Sequence, residues 1–236
     1  MIGAFAKTCQ AAHILGKVLA HQEARKSPSD ARDLLSEAQH LHHALSSLQS
    51  TLEAGEQGEA PASSRLSALA LCASARLLLY DRYGCNDPSA ASPAERIPQE
   101  TEMQRVSLEG IKAIAGVTAP AVARAVVSRS YDHEDDDTMD GGDLEIEEED
   151  EDGAVSPFVA QFLYHAATEC AWFIREDHEP HMCEALKVVL LALEAISRRC
   201  GVGCESSPIG PFSFLPSLPH PFCATSRDDY VSDTLS

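Results

Sequence analysis

Leu34, Ala38, Leu41, Leu45, Leu48 and Leu52 recur at alternating steps of four and three. That spacing gives a helix one apolar seam nearly three heptads long, ending at Ala54-Gly55. A heptad seam can pair within a bundle or form a dimer; in a helical chain of this size, packing within the bundle is the expectation. A second stretch, Leu66 to Tyr80, is interrupted only by Ser67, Ser74 and Arg76. A helix apolar on all sides is buried in a core or a membrane. Fifteen residues rise about 22 Å, short of a bilayer core of roughly 30 Å, so the stretch predicts a central helix with the other helices as its packing shell. Asp81, Tyr83, Gly84 and the Asn86-Asp87-Pro88 turn end it.

The remaining pattern is also helical. Ile2, Phe5, Cys9, Ala12, Leu15 and Leu19 mark one face of a helix over residues 1–26. Ser27-Pro28-Ser29-Asp30 supplies a cap and a first-turn proline for the next helix. Residues 56–64 and 88–98 read as linkers. Residues 99–116 form a helix with Val106, Leu108, Ile111, Ile114 and Ala115 as apolar positions, and Pro120 kinks or splits it before it resumes toward Arg129. Ser156-Pro157 opens a helix carrying Phe158, Phe162, Ala166, Cys170 and Phe173. Asp177-His178-Glu179-Pro180 turns the chain into a last helix lined by Leu186, Val189, Leu190, Leu193 and Ile196, which stops at Cys200-Gly201 behind Arg198 and Arg199.

Composition narrows this picture. Val, Ile and aromatic residues are sparse beside Ala and Leu, which favours helix over sheet. The net charge of −19 is uneven. Asp132 to Asp152 holds 14 acids and no Lys or Arg; removing them from 37 leaves 23 acids against 18 bases, a net −5 for the rest. Such a segment cannot bury enough apolar surface to fold and is expected to be disordered. Leu144 and Ile146, set among its acids, also suit an amphipathic acidic activation segment. The basic footprint that duplex DNA requires is missing, so no direct nucleic-acid binding is expected. The first residues do not have the layout of a signal peptide, and no transmembrane segment is expected. Cys9, Cys72 and Cys170 fall within helical apolar patterns, where a free thiol behaves as a small hydrophobe, and a reduced intracellular compartment fits. The tail PIGPFSFLPSLPHPF is Pro-rich and extended.

Few residues suggest chemistry. His40 and His43, with His42 between them, are close enough on a helix to touch one metal, or they belong to its polar face. His178, His181 and Cys183 form an imaginable ligand trio, or first-turn and surface residues. Cys200 and Cys204 make a lone CxxxC, weak evidence for zinc. Arg76 is the most unusual residue: a charge in an apolar helix needs a partner carboxylate, an edge to snorkel to, or a bound anion. GxSxG, HExxH, P-loop and GxGxxG patterns do not occur. The expectation is a chain without catalytic, cofactor-binding or metal-binding residues.

Five stretches then suggest a family: FAKTCQAAHILGKVL, SEAQHLHHALSSLQSTL, LALCASARLLLYDRYGC, SPFVAQFLYHAATECAWFIRE and EALKVVLLALEAI. In that order they resemble the C-terminal half of the regulatory domain of fungal zinc binuclear cluster transcription factors, over most of residues 1–199 outside the acidic segment and linkers. Their order carries more weight than any one of them. The resemblance implies an all-α, multi-helix bundle-like regulatory domain over residues 1–203, with 132–152 as an acidic insertion and 204–236 as an extended tail. It implies a nuclear regulator of RNA polymerase II promoters, acting with coregulators or an intramolecular DNA-binding module, and a possible homodimer. The family's six-cysteine zinc cluster and basic linker find no counterpart here, since no CxxCx6C occurs. No zinc-binding or DNA-contacting residue carries over. A helical scaffold or adaptor without a transcription role is the alternative.

Overall fold

The computed structural model describes residues 3–24, 31–54, 62–84, 98–131 and 155–200. They form seven α-helices: α1 (Ala4–Ala24), α2 (Ala31–Ala54), α3 (Ala62–Gly84), α4 (Pro98–Ala113), α5 (Ala119–Tyr131), α6 (Pro157–Glu176) and α7 (Pro180–Cys200). A π-helical turn, Ile114–Thr118, joins α4 to α5. Among the described residues there is no strand, and the chain is an all-α multi-helix bundle. The acidic segment, the Pro-rich tail, Ile2, the Ser27–Asp30 cap and most of both linkers lie outside the described residues.

Apolar residues surround α3, and the packing follows from that. Ala68, Ala70, Leu71, Cys72, Ala73, Ala75, Leu77, Leu79 and Tyr80 are buried. The helix touches α1, α2, α4, α6 and the π turn. It is the central helix that its composition predicts, though it begins at Ala62, inside the expected linker. α4 likewise takes in Pro98, the last residue of the second expected linker. A proline suits a first helical position, where its missing N–H has no intrahelical role.

The α2 seam is buried within the single chain from Ala38 through Leu41, Leu45, Leu48 and Leu52 against α1 and α3. Its first buried member is Leu35 rather than Leu34, which is only half-buried.

α1 departs most from its pattern. The buried stripe is Ala11, Ile14, Val18 and His21; Phe5, Cys9, Ala12 and Leu19 face outward and Leu15 is half-buried. Polar side chains set this rotation. His21 Nδ1 lies 2.7 Å from Glu37 Oε2 on α2, and its Nε2 lies 2.9 Å from the Tyr83 hydroxyl on α3. Gln22 Nε2 donates to the Leu78 carbonyl at 2.8 Å. These bonds bury one apolar stripe and leave the other exposed. In α6 the expected stripe is buried except Phe158, which is exposed. In α7 the buried set is Met182, Ala185, Val189, Ala192 and Ile196. Leu186 and Leu193 pack at its margin, and Leu190 is exposed.

Pro120 neither splits nor ends its helix: α4, the π turn and α5 run without interruption from Pro98 to Tyr131. The Ala119 N–H bonds to the Ile114 carbonyl, five residues back. Pro120 has no N–H, and its ring would clash with the carbonyl four residues before it in an α-turn. Widening one turn accommodates the ring. The Cys170 thiol on α6 donates to the Ala115 carbonyl of this turn at 3.5 Å. The rod is long and apolar enough to cross a membrane by length and composition, and 56% of its most apolar window is buried within the bundle.

The α6–α7 turn is tied down from α4. Lys112 Nζ reaches Asp177 Oδ2 at 2.9 Å and Glu179 Oε1 at 2.8 Å, and lies 5.1 Å from the centre of the Phe173 ring. His178, at the turn, holds a left-handed backbone with φ 53°. Ser156 stands at the N-cap of α6 with Pro157 after it, as expected, but its carbonyl, not its side chain, takes the first bond, from Val159 N at 2.9 Å.

Candidate functional site

The most connected polar group in the core is built around Arg76. On α3, Arg76 and Tyr80 are four residues apart and therefore share a face. Arg76 Nε donates to the Tyr80 hydroxyl at 3.1 Å, and its guanidinium carbon lies 5.4 Å from the ring centre. Arg76 Nη1 donates to Gln49 Oε1 on α2. The Gln49 amide nitrogen in turn donates to Glu53 Oε1 at 2.7 Å and to Thr118 Oγ1, in the π turn, at 3.4 Å. His42 Nδ1 lies 2.7 Å from the Tyr80 hydroxyl. Burial and the Arg76 charge, with a smaller contribution from His43, hold the His42 imidazole below its ordinary pKa. A neutral ring with its proton on Nε2 accepts a hydrogen bond at Nδ1 from the Tyr80 O–H. Burial pushes the Tyr80 phenol up, against the opposing charge of Arg76. The group thus carries one fixed positive charge, a neutral imidazole and a protonated phenol.

Of the alternatives open for Arg76, a structural pairing is the one found, but half-buried Arg76 meets a neutral amide, and a carboxylate joins only through Gln49. This pairing connects α2, α3 and the π turn. α4 closes over it at Gly110. A Cβ placed on Gly110 would stand 2.3 Å from Tyr80 Cε2, so only glycine lets α4 lie against that ring. Gly110→Ala should cost about 1–3 kcal/mol in a urea melt, because hydrogen bonds to His42 and Arg76 hold the ring in place. A loss below about 0.5 kcal/mol would show that the ring yields freely.

Of the other candidates, His40 and His43 are exposed on α2 and only His42 of the three turns inward, toward Tyr80. His181 Nδ1 pairs with Glu179 Oε2 at 3.0 Å in the first turn of α7, and His178 Nδ1 lies 3.3 Å from the Ile174 carbonyl. Cys183 is half-buried and free. The structure does not gather His178, His181 and Cys183 into one ligand set: among the described residues no three His, Cys, Asp or Glu are placed to hold a metal. Cys204 lies outside the described residues. Cys72 and Cys170 are buried as expected, and burial raises their thiols to about 12 and about 11, so neither is a thiolate nucleophile at neutral pH. Cys9 is exposed, because the apolar stripe that carries it faces away from the bundle.

Beside Ser107 on α4, whose fully buried hydroxyl has no hydrogen-bond partner among the described residues, three buried polar residues carry no motif and escaped the sequence: Gln49, His21 and Glu169. Each sits at an inward position of its helix, one residue past Leu48, three past Val18, and three past Ala166. A polar residue on an apolar stripe is the available signal. Glu37, His21 and Tyr83 form a carboxylate–imidazole–phenol chain, but His21 is 1% exposed and serves to join three helices. Glu169 on α6 faces Asp81 on α3, with His165 Nε2 at 3.6 Å from its carboxylate. A cleft of about 440 Å³ lined by Arg32, Leu35, Ser36, Gln39 and Gln99 includes none of these groups.

Comparison of the chain with protein-family models, with curated proteins and with solved structures gives no match.

Proposed function

We propose that this chain is the regulatory region of a fungal zinc-cluster type transcription regulator acting at RNA polymerase II promoters in the nucleus. In this reading it is a module without its own DNA-reading cluster and not an enzyme. The observation that carries the reading is the ordered set of five helix-core stretches that resemble that family. Each coincides with one helix: α1, α2, α3, α6 and α7 in turn. Two further features support it. His21, Gln49 and Arg76 are engaged with other side chains at helix junctions, which suits a scaffold. And 14 acids with Leu144 and Ile146 lie between α5 and α6, a composition suited to a segment that folds on a coregulator groove. A helical adaptor without a transcription role is the second reading, favoured by the same fold if the acidic segment only spaces two helices.

The deciding experiment fuses residues 132–152 to a heterologous DNA-binding domain and measures reporter output, then repeats it with Leu144→Ala and Ile146→Ala. Every charge is kept. Activation that falls at least several-fold in the double variant supports the regulator. An inert intact segment supports the adaptor, and activation untouched by the two changes assigns the effect to charge alone.

A further inference from the structure

α5 and α7 lie side by side and run parallel. A Cβ on Gly116, just before α5, would stand 3.3 Å from Met182 Cε in the first turn of α7. At the other end Arg199 Nη2 donates to the Arg129 carbonyl at 3.1 Å. The two helices carry five bases, Arg124, Arg129, Lys187, Arg198 and Arg199, against two acids, a net +3. The chain is net −5 even without residues 132–152, so this pair of helices stands apart in charge. Both of its acids are already engaged, Glu184 with Lys187 at 2.7 Å and Glu194 with Arg198 at 2.6 Å. Arg129, Arg198 and Arg199 belong to last helical turns, where cations suit the dipole. Arg124 does not: it is exposed in mid-helix, and no carboxylate among the described residues pairs with it. The surface around it is apolar. Val117, seven positions earlier and on the same side, is 68% exposed, and Leu191, level with Arg124 on α7, is 60% exposed.

The acidic segment is fastened at this end of the bundle. It follows Tyr131, the last residue of α5, and leads to Val155, just before α6. The short turn between α6 and α7 makes those helices antiparallel neighbours, so the start of α6 lies beside the end of α7. Charge is complementary: 14 acids without Lys or Arg face a surface of net +3. Reach is sufficient. Residue 143 is 12 residues from either attachment, a span of about 40 Å, whereas α5 is about 20 Å long. Attachment at both ends holds the segment near the arginines at an effective concentration on the order of 1 mM. We propose that the outer face of α5 and α7 is the docking site of residues 132–152. Their carboxylates meet Arg124 and the last-turn arginines, and Leu144 and Ile146 settle on Val117 and Leu191. The contact does not rest on a transcription role, because neither charge nor reach depends on one.

Photo-cross-linking of the full chain reads this contact. With p-benzoylphenylalanine in place of Met139, irradiation and peptide mapping should place the adducts within one chain, on residues 117–131 and 184–199. Screening should cut their yield roughly fivefold between about 50 mM and about 500 mM NaCl. Arg124→Glu with Arg198→Glu should cut it as far at low salt and leave the helical circular dichroism unchanged, because both side chains are exposed. Arg175→Glu, equally exposed but at the opposite end of α6, should leave the yield as it was. Adducts spread over the other helices, or formed only between two chains, overturn the proposal. So does a yield on α5 and α7 that neither salt nor the two substitutions lower. The salt series uses the unsubstituted arginines, so it decides the question even if the double variant folds poorly.

Discussion

Leu71→Ala is expected to lower the unfolding free energy by about 2–5 kcal/mol. Leu71 lies on α3 and is 4% exposed. Removing its side chain forfeits the transfer free energy of the lost carbons and leaves a cavity. The cavity term is large where the surroundings cannot collapse, and α3 is held by α1, α2, α4, α6 and the π turn. Leu191→Ala on α7 is the matched control: Leu191 is 60% exposed, and its loss should change stability by no more than about 0.5 kcal/mol. Leu78, half-buried on the same helix as Leu71, should fall between them. Urea melts of the three variants give the ordering. A loss under 1 kcal/mol at Leu71 makes α3 peripheral and removes the basis for the architecture.

That ordering also marks how far the sequence could be read. The class of fold and the central place of α3 were legible because Leu66–Tyr80 has no polar face to turn outward. The α2 seam was legible because one stripe dominates it. α1 was not, since two apolar stripes interleave along it, Phe5-Cys9-Ala12-Leu19 and Ala11-Ile14-Val18, and both satisfy helical spacing. The choice between them rests on bonds from His21 and Gln22 to residues 16, 62 and 56 positions away. Periodicity within one helix carries no information about such partners. Pro120 is a subtler case. The rule that proline breaks a helix interior holds for α geometry, but a five-residue π turn accommodates the ring and keeps the rod whole.

The candidate site was half legible for the same reason. Arg76 identifies itself as a charge in an apolar run. Its partner does not, because Gln49 is 27 residues away and neutral. The carboxylate of the group, Glu53, is one helical turn further along α2 and is reached only through the Gln49 amide. Gly110 offers no sign at all in the sequence that it lies against the Tyr80 ring. Asp81 reads as part of a helix stop, and nothing in the sequence singles out Glu169. Only the packing of α3 on α6 brings the two carboxylates together.

Those carboxylates set the last expected result: their contribution to stability should fall as pH rises from about 4 to 7. Burial raises Glu169 from 4.5 to about 7, with the Asp81 charge adding to it. Burial likewise raises Asp81 from 3.8 to about 6, against the partial relief of Arg82. The folded state therefore holds protons that the unfolded chain has released. Between the unfolded and folded values the native state binds more protons, so the slope of unfolding free energy against pH is negative. This contribution is complete below about pH 4, declines through the folded values, and is gone above about pH 7. His165 acts in the opposite sense. Burial lowers its pKa, so the folded state resists its protonation and loses stability as pH falls through 6.5. Cys170, the nearest thiol, titrates too high to contribute here. His42, also lowered by burial, acts in the same sense as His165, so the useful quantity is a difference between variants. Glu169→Gln keeps the shape and removes the charge. Relative to the unsubstituted chain it should gain on the order of 1–2 kcal/mol between pH 5 and 8, once solvent screening is allowed for. Asp81→Asn should gain less, since Asp81 is more open to water. Urea melts at half-unit pH steps measure both. Parallel stability curves for Glu169→Gln and the unsubstituted chain would mean that Glu169 is ionised in the folded protein throughout, and that the α3–α6 contact shelters no proton.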